Sequence, residues 1–324
     1  MTLLVLSDAD IRSVLTPRAA IDSQRAAYLA VADGRVAASG VTSSWDADGS
    51  LTFAHTGAIA GLTGVTCKFG MQVSGNAARG LPTVHAVVTV LHPVTGEPLA
   101  CLNGGTVTAL RTSAGIAAAA DALARPDAAR LGLVGAGVQA REAARMISVI
   151  RGLSAIYVCG LSGEDSDRLA EELEAELGVP STAARSAQQL AAQSDIVVTA
   201  TTSRAPVLRG DWLPPGCTVL TVGSYEPDRR ELDLAATTMA DLITADDPVK
   251  ASSHCGILVE ATQRGVPAHV ISIGEILAGR ATGRQAARDL VIFHCTGLGI
   301  QDASLAWSVV QRAVERQLGR TVDF

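Results

Sequence analysis

The strongest indication of the fold lies in the segment Leu131-Gly132-Leu133-Val134-Gly135-Ala136-Gly137-Val138-Gln139-Ala140. A short apolar run, typical of a buried strand, leads into the pattern Gly-x-Gly-x-x-Ala, and a helix is predicted to follow. Gly135 permits a tight turn, Gly137 lets the backbone approach a pyrophosphate, and Ala140 lets helix and strand pack closely. The N–H groups at the helix start would hold the phosphates. The predicted dinucleotide-binding loop comprises Gly135, Ala136, Gly137, Val138 and Gln139.

Strands and helices alternate along the chain from residue 130 onward. The predicted strands cover residues 131–134, 155–159, 195–199, 218–222, 242–244 and 290–293. Helices are predicted between these strands, and the first two cover residues 139–151 and 164–177. Such alternation is typical of βαβ units, so the sequence predicts an α/β fold with a Rossmann-type, doubly wound parallel sheet.

The N-terminal part has a different pattern. Two helices are predicted over residues 7–34, with Ser7 and Asp10 as a capping box and Pro17 at the first position of the second helix. Segments rich in Val and Thr between residues 40 and 103 predict a β-rich region. A helix over residues 106–124 leads into the parallel sheet, and a last helix is predicted over residues 302–318. We therefore expect a second, smaller α/β domain.

Length and charge exclude several classes of protein. The chain has 324 residues, which suits two domains, and its net charge is −6. No cluster of Lys and Arg indicates nucleic-acid binding. No apolar run reaches the roughly 18 residues that a membrane span needs, so we expect a cytoplasmic protein. The six histidines lack the HxH or HxxxH spacing of metal ligands, and no metal site is expected.

Loops after the later strands complete the predicted cofactor site. Where an acidic residue would hold the adenosine ribose, the chain has Gly160, with Ser162 close behind. This leaves NAD and NADP open and shifts the balance toward NADP, because no carboxylate would repel a 2′-phosphate. The next strand ends lie at the same edge of the sheet, and they add Thr199, Ala200, Thr201, Val222, Gly223 and Ser224.

Segments along nearly the whole chain resemble one known family. The run from Leu99 to Ala114 contains Arg111-Thr112-Ser113-Ala114, and Lys68 follows Gly64. The other matching segments are Asn76 before Leu81-Pro82, the glycine loop at Gly135, Val222-Gly223-Ser224, Pro227-Asp228-Arg229-Arg230-Glu231-Leu232-Asp233 and Gly297-Leu298-Gly299-Ile300-Gln301-Asp302. In this order and combination, the chain resembles the ornithine cyclodeaminase/mu-crystallin family.

The resemblance implies a domain arrangement and a set of partners. In this family a Rossmann domain is inserted between an N-terminal α/β domain and a C-terminal helix that returns to it. The implied domains are residues 1–112 with 303–324, for substrate binding and dimerisation, and residues 113–302, for the dinucleotide. The resemblance also implies a homodimer, NAD or NADP as the cofactor, and a small amino acid, imine or keto acid as the substrate.

The resemblance also assigns individual site residues. Lys68 matches the active-site lysine and is one of only two lysines in the chain, set within an apolar run. A buried ammonium can pass a proton to nitrogen or oxygen. Arg111 matches the arginine that binds the substrate carboxylate, a task for which the guanidinium fork is suited. Thr112 would face the cofactor phosphates, and Leu298 lies in the segment that closes over the nicotinamide.

Two positions depart from the family pattern. Gly40 stands where a second carboxylate-binding arginine is expected. Tyr225 stands where the cyclodeaminases carry a catalytic aspartate, and Glu226 follows it. Tyr225 can still exchange a proton but is no carboxylate base at neutral pH. Glu226 is the alternative base if its loop turns inward.

These residues favour an NAD(P)-dependent oxidoreductase that acts on C=N or C–N bonds, such as a ketimine reductase or an amino-acid dehydrogenase. Lys68 would handle the proton and Arg111 would hold the acid group. The alternative is a cyclodeaminase that releases ammonia with bound NAD, which the missing aspartate at Tyr225 disfavours. A third hypothesis is a dinucleotide-binding protein without activity, which has no need to retain Lys68.

Overall fold

The computed structural model describes residues 2–46 and 49–323. Its strands are β1 (Thr2–Leu6), β2 (Val36–Trp45), β3 (Leu51–Ile59), β4 (Thr66–Gln72), β5 (Val84–Leu91), β6 (Pro98–Asn103), β7 (Arg130–Val134), β8 (Ala155–Cys159), β9 (Ser181–Ala183), β10 (Ile196–Thr199), β11 (Thr218–Thr221), β12 (Leu242–Ala245), β13 (Val270–Ser272), β14 (Val291–His294) and β15 (Arg320–Asp323). Its α-helices are α1 (Asp8–Val14), α2 (Pro17–Ala32), α3 (Gly104–Leu123), α4 (Val138–Ile150), α5 (Gly163–Leu177), α6 (Ala187–Gln193), α7 (Leu234–Met239), α8 (Pro248–His254), α9 (Gly256–Gln263), α10 (Ile273–Leu277) and α11 (Gly299–Glu315).

The chain divides into two compact units. The first unit contains Met1–Arg111 and Leu298–Phe324, and the second contains Thr112–Gly297. Within the described residues, each unit has one sheet, with seven strands in the first and eight in the second.

The sheet of the first unit has the order β15-β1-β6-β5-β4-β3-β2. Strands β2 to β6 form an antiparallel meander, and β1 runs parallel to β6. Helix α11 packs on β2 to β5, and α2 packs on α11. Residues that pair directly across strands share a face of the sheet. Lys68 on β4 pairs with His55 on β3 and with Val88 on β5, so these three side chains share one face.

The first two helices begin where the sequence predicts. Ser7 caps α1 by accepting a hydrogen bond from the backbone N–H of Asp10, whose side chain in turn accepts from Ser7, and this confirms the capping box. Thr16 caps α2, with Pro17 at its start. A proline is tolerated there because the first N–H groups of a helix have no intrahelical partner.

The second unit confirms the predicted parallel sheet. All of its strands run parallel, in the order β13-β12-β14-β11-β10-β7-β8-β9. Strands β10, β11 and β14 are buried along their whole length, which explains their mainly apolar sequences. The strand order reverses between β7 and β10, so a crevice opens there at the carboxyl ends of the strands, the usual ligand site of such folds.

Five strands went unpredicted, and the first of them, β1, is the short apolar segment Thr2–Leu6. Strand β2 is rich in Ala, Ser and Gly, and β9 and β13 are three residues long. Strand β15 is mostly exposed at the edge of its sheet. Strands β2, β9, β13 and β15 lack a long run of branched apolar residues and form by pairing with neighbouring strands.

No helix within the described residues is long and apolar enough to cross a membrane.

Candidate active site

Lys68 and Arg111 meet at a buried carboxylate of the first unit, Asp302. The Lys68 Nζ lies 2.9 Å from Oδ1 of Asp302, and the Arg111 Nε donates to the same oxygen at 3.1 Å. The other oxygen, Oδ2, lies 3.4 Å from Nδ1 of His55. Lys68 and Asp302 are each 1% exposed. The two cations that sequence reasoning selected are therefore held together by an anion that it did not select.

The local fold explains why these side chains converge. Lys68 and His55 are direct neighbours on paired strands. Asp302 lies in the first turn of α11, which approaches β3 through two glycines. A Cβ at Gly57 would lie 2.2 Å from the carbonyl oxygen of Gly299, and a Cβ at Gly299 would lie 1.9 Å from that of Thr56. Only glycine at both positions lets the helix start so close to the strand.

The charges of this cluster do not cancel. Burial alone would raise the pKa of Asp302, but Lys68, Arg111 and the contact with His55 outweigh it and hold that pKa well below its usual range. Burial lowers the pKa of His55 to about 4, so its imidazole is neutral at pH 7. Two cations, one anion and a neutral imidazole give the four side chains a net charge of +1. Such a cluster suits one further carboxylate.

The strand register corrects the expectation about Gly40. Gly40 pairs with Thr56 and therefore faces away from Lys68, whereas Val41 pairs with His55 and shares its face. An arginine at position 40 would point to the opposite side of the sheet. The residues of β2 on the Lys68 face are uncharged: Ser39, Val41, Ser43 and Trp45. Strand β2 therefore offers no second cation to a substrate.

In the second unit, the glycine loop has the geometry of a phosphate site. Gly135 has φ +112°, which disfavours any side chain, and a Cβ there would lie 2.5 Å from the carbonyl oxygen of Ala200. Gly137 is the N-cap of α4, makes no side-chain cap, and has open space around its missing Cβ. Val138 and Gln139 form the first turn of that helix. These residues fit the pyrophosphate of a dinucleotide.

The remaining predicted cofactor residues border this loop. A Cβ at Gly160 would lie 2.9 Å from that of Ala136. Thr199 ends β10, and Ala200 and Thr201 follow it. Val222, Gly223 and Ser224 follow β11, and a Cβ at Gly223 would lie 1.9 Å from the carbonyl oxygen of Thr201. The structure thus brings the strand-end residues of the second unit together at one edge of its sheet.

Thr112 and Leu298 lie at the boundaries between the units. Thr112 is buried on α3, and the hydroxyl of the adjacent Ser113 contacts the side chain of Gln139 at 3.3 Å. Leu298 belongs to the first unit, where its N–H donates to the side-chain oxygen of Gln301 at 2.8 Å. Leu298 therefore orders the start of α11, four residues before Asp302 in the sequence.

The predicted ribose end of the crevice is acidic. Ser162 caps α5 and also donates to the carboxylate of Asp165 at 2.8 Å. Glu164 and Asp165 place two carboxylates in the first turn of this helix. Leu161, the first residue after Gly160, is fully exposed. Ser162 is thus already engaged as a helix cap.

Tyr225 and Glu226 share one partner, Arg229. The Arg229 guanidinium donates to the Tyr225 hydroxyl at 3.2 Å and lies 5.1 Å above the centre of its ring. Its Nε lies 3.1 Å from a carboxylate oxygen of Glu226. Burial raises the pKa of Glu226, and the charge of Arg229 opposes that shift. Arg229 therefore holds the loop that carries both residues.

The chain matches one protein family over nearly its full length. The model of the ornithine cyclodeaminase/mu-crystallin family matches residues 2–317. A solved structure of Δ1-pyrroline-2-carboxylate reductase from Thermococcus litoralis, in complex with NADH and L-proline, is 29% identical, with a TM-score of 0.94 and coverage of 99% of this chain and 100% of that chain.

Two further solved structures are similar over the full length of both chains. An archaeal alanine dehydrogenase dimer with bound NAD is 27% identical, with a TM-score of 0.92. The iminosuccinate reductase of Paracoccus denitrificans, in complex with NAD+, is 26% identical, with a TM-score of 0.91. All three solved relatives hold NAD or NADH.

Proposed function

Because this chain belongs to the ornithine cyclodeaminase/mu-crystallin family, we propose that it is an NAD-dependent oxidoreductase acting on the C=N or C–N bond of a small imino or amino acid. The observation that carries the proposal is the buried cluster of Lys68, Arg111 and Asp302. Burying three charged groups is costly unless they are paired and used. The glycine loop at Gly135 supports the dinucleotide part of the proposal.

Arg111 and Lys68 have distinct tasks in this proposal. Arg111 pairs with Asp302 through Nε, and its planar guanidinium has the geometry that suits a substrate carboxylate. Lys68 pairs with Asp302 through Nζ, and it donates a proton from Nζ to the substrate nitrogen during reduction. In the oxidative direction, Nζ of Lys68 receives a proton from the substrate nitrogen. The bound nicotinamide supplies or accepts the hydride.

The net charge of +1 restricts the substrate. One carboxylate neutralises the cluster, and the face of β2 toward Lys68 offers no cation for a second one. We therefore propose a substrate with a single carboxylate and an uncharged remainder, as in a cyclic imino acid or alanine. Cyclodeamination is the second candidate, and Tyr225 in place of the catalytic aspartate disfavours it.

Turnover by the purified protein tests this function. NADH oxidation would be followed with cyclic imino acids, 2-keto acids plus ammonia or amines, and iminosuccinate, and NAD reduction with L-amino acids including ornithine. Ammonia would be measured in parallel. Net NADH change with monocarboxylates supports the proposal. Ammonia release from ornithine without net NADH change would mean cyclodeamination, and NAD binding without any turnover of this panel would favour a binding protein.

The sequence alone favoured NADP over NAD, whereas we propose NAD as the preferred cofactor. The two carboxylates at the start of α5 repel a 2′-phosphate, and Leu161 offers it no cation. We expect NADP to bind about tenfold more weakly than NAD, which corresponds to about 1.4 kcal/mol. Leu161→Arg should tighten NADP binding about tenfold and change NAD binding less than twofold, measured by fluorescence titration with the reduced cofactors.

Val149→Arg is the matched control for this titration. Val149 is an exposed apolar residue near the other end of α4, away from the glycine loop. It gains the same charge as Leu161→Arg, so it should leave both dissociation constants within twofold. An unchanged NADP affinity in Leu161→Arg would contradict the placement of the ribose beside α5.

We also propose a homodimer formed through the face of the first sheet that exposes Phe69, Met71 and Val87. Phe69, Met71 and Val87 lie together on the face opposite Lys68 and are 57%, 38% and 46% exposed. Adjacent large apolar side chains on a sheet surface are typical of an interaction site. Phe69→Asp is expected to weaken the dimer by about 30-fold or more, the effect of a residue central to an interface.

Sedimentation velocity over a concentration series would measure this weakening. Val94→Asp is the control, because Val94 is an 86% exposed apolar residue in a turn outside this face. The control should sediment as the unchanged chain does. A Phe69→Asp variant with an unaltered dimer dissociation constant would exclude this face.

A further inference from the structure

We infer that Glu231 is a positioning residue that fixes the two strand-end loops of the dinucleotide crevice, and this rests on the proposed binding of NAD. Glu231 is fully buried. Its Oε1 accepts hydrogen bonds from the backbone N–H of Thr201 at 2.7 Å and from the Thr201 hydroxyl at 2.9 Å. Its Oε2 accepts from the backbone N–H of Gly223 at 2.7 Å and from the Thr199 hydroxyl at 2.9 Å.

The backbone of Glu231 adds to this arrangement. Its N–H donates to the hydroxyl of Ser224 at 3.0 Å, and its carbonyl oxygen accepts from Val207 and Leu208. One residue thus bonds to Thr199 and Thr201 after β10 and to Gly223 and Ser224 after β11. Those two loops follow adjacent parallel strands at the carboxyl edge of the sheet, where the ligand of such a fold binds.

A carboxylate is the side chain that this arrangement requires. Each oxygen receives one backbone N–H and one hydroxyl, so both must act as acceptors. An amide would direct its NH2 group at the N–H of either Thr201 or Gly223, and two donors cannot bond. Glu231→Gln therefore releases one loop while keeping the size of the side chain.

The placement of these loops sets a kinetic expectation. A displacement of about 1 Å at a reacting centre can cost about 100-fold in rate. We expect Glu231→Gln to raise the Kd for NAD about tenfold and to lower kcat about 100-fold. The KM for the amino or imino acid should change less than twofold, because the substrate carboxylate is assigned to Arg111 in the first unit.

Asp195→Asn provides a matched control within the same unit. Asp195 is also buried and also accepts backbone hydrogen bonds, from Ala129 and Arg130. It immediately precedes β10, at the amino end of the strand, whereas the crevice lies at the carboxyl ends of the strands. This variant should lose thermal stability as Glu231→Gln does, yet bind NAD within twofold of the unchanged protein.

The experiment measures NAD binding by calorimetry, followed by steady-state kinetics, on the full chain and these variants. Glu231→Asp, which keeps the charge but shortens the reach, replaces the Gln variant if that variant does not fold. Weak NAD binding in the Glu231 variant alone supports the inference. Equal loss in Asp195→Asn, or unchanged binding in both, overturns it. Failure of the unchanged protein to bind NAD or NADP would instead remove the proposed function and this inference with it.

Discussion

Replacing Lys68 with Met is expected to lower kcat by about 10²- to 10⁴-fold, the usual contribution of a general acid–base group. Methionine fills the same volume but has no proton to donate to the substrate nitrogen. NAD binding should stay within twofold, because the glycine loop and the strand-end loops belong to the second unit. Steady-state measurement of NADH consumption with a cyclic imino acid would give kcat, and calorimetry would give the dissociation constant for NAD.

Lys68→Arg separates loss of the proton donor from loss of charge. The arginine keeps the pairing with Asp302, but a guanidinium holds its proton too tightly for exchange near neutral pH. The kcat of this variant should therefore also fall. Its KM should stay closer to that of the unchanged protein than the KM of Lys68→Met does. A Lys68→Met variant with kcat within tenfold of the unchanged protein would exclude Lys68 as the proton donor.

The second sheet could be predicted because its signals are local. The strand before Gly135, the glycine pattern and the helix after it lie within one short stretch of sequence. The turn itself needs a positive φ at Gly135 and the absence of a side chain at Gly137. Strand β2 carries no such signal, because it is rich in Ala, Ser and Gly and forms in the structure by pairing with β3.

The candidate site could be predicted only in part because its partners are distant in sequence. Lys68 and Asp302 are separated by 234 positions, and nothing near Asp302 indicates which cation it meets. The available signal was an acidic residue in the first turn of a helix that is apolar over most of its length. The face of Gly40 was equally hidden, since it depends on a register shift between Val36 and Ala38. The role of Glu231 could not be predicted from the sequence, because it depends on two loops that only the fold brings together.

Asp302→Asn is expected to destabilise the protein by about 3–5 kcal/mol, because it leaves the charges of Lys68 and Arg111 buried without their common anion. Lys68→Met should cost less, since Arg111 and Asp302 still neutralise each other. The double variant restores the net charge of +1 that the intact cluster has. The double variant should therefore lose less free energy of unfolding than the two single variants lose together, by about 2 kcal/mol.

Urea unfolding of all four proteins at pH 7 would measure this coupling. Asp127→Asn is the control, because the Asp127 side chain is 72% exposed and its ion pair with Arg125 lies at the surface, where such pairs contribute about 1 kcal/mol or less. Additive losses would mean that Lys68 and Asp302 act on stability independently. A coupled pair, by contrast, means that Asp302 is retained to keep Lys68 charged and oriented, and activity should then fall in Asp302→Asn even under conditions where that variant is fully folded.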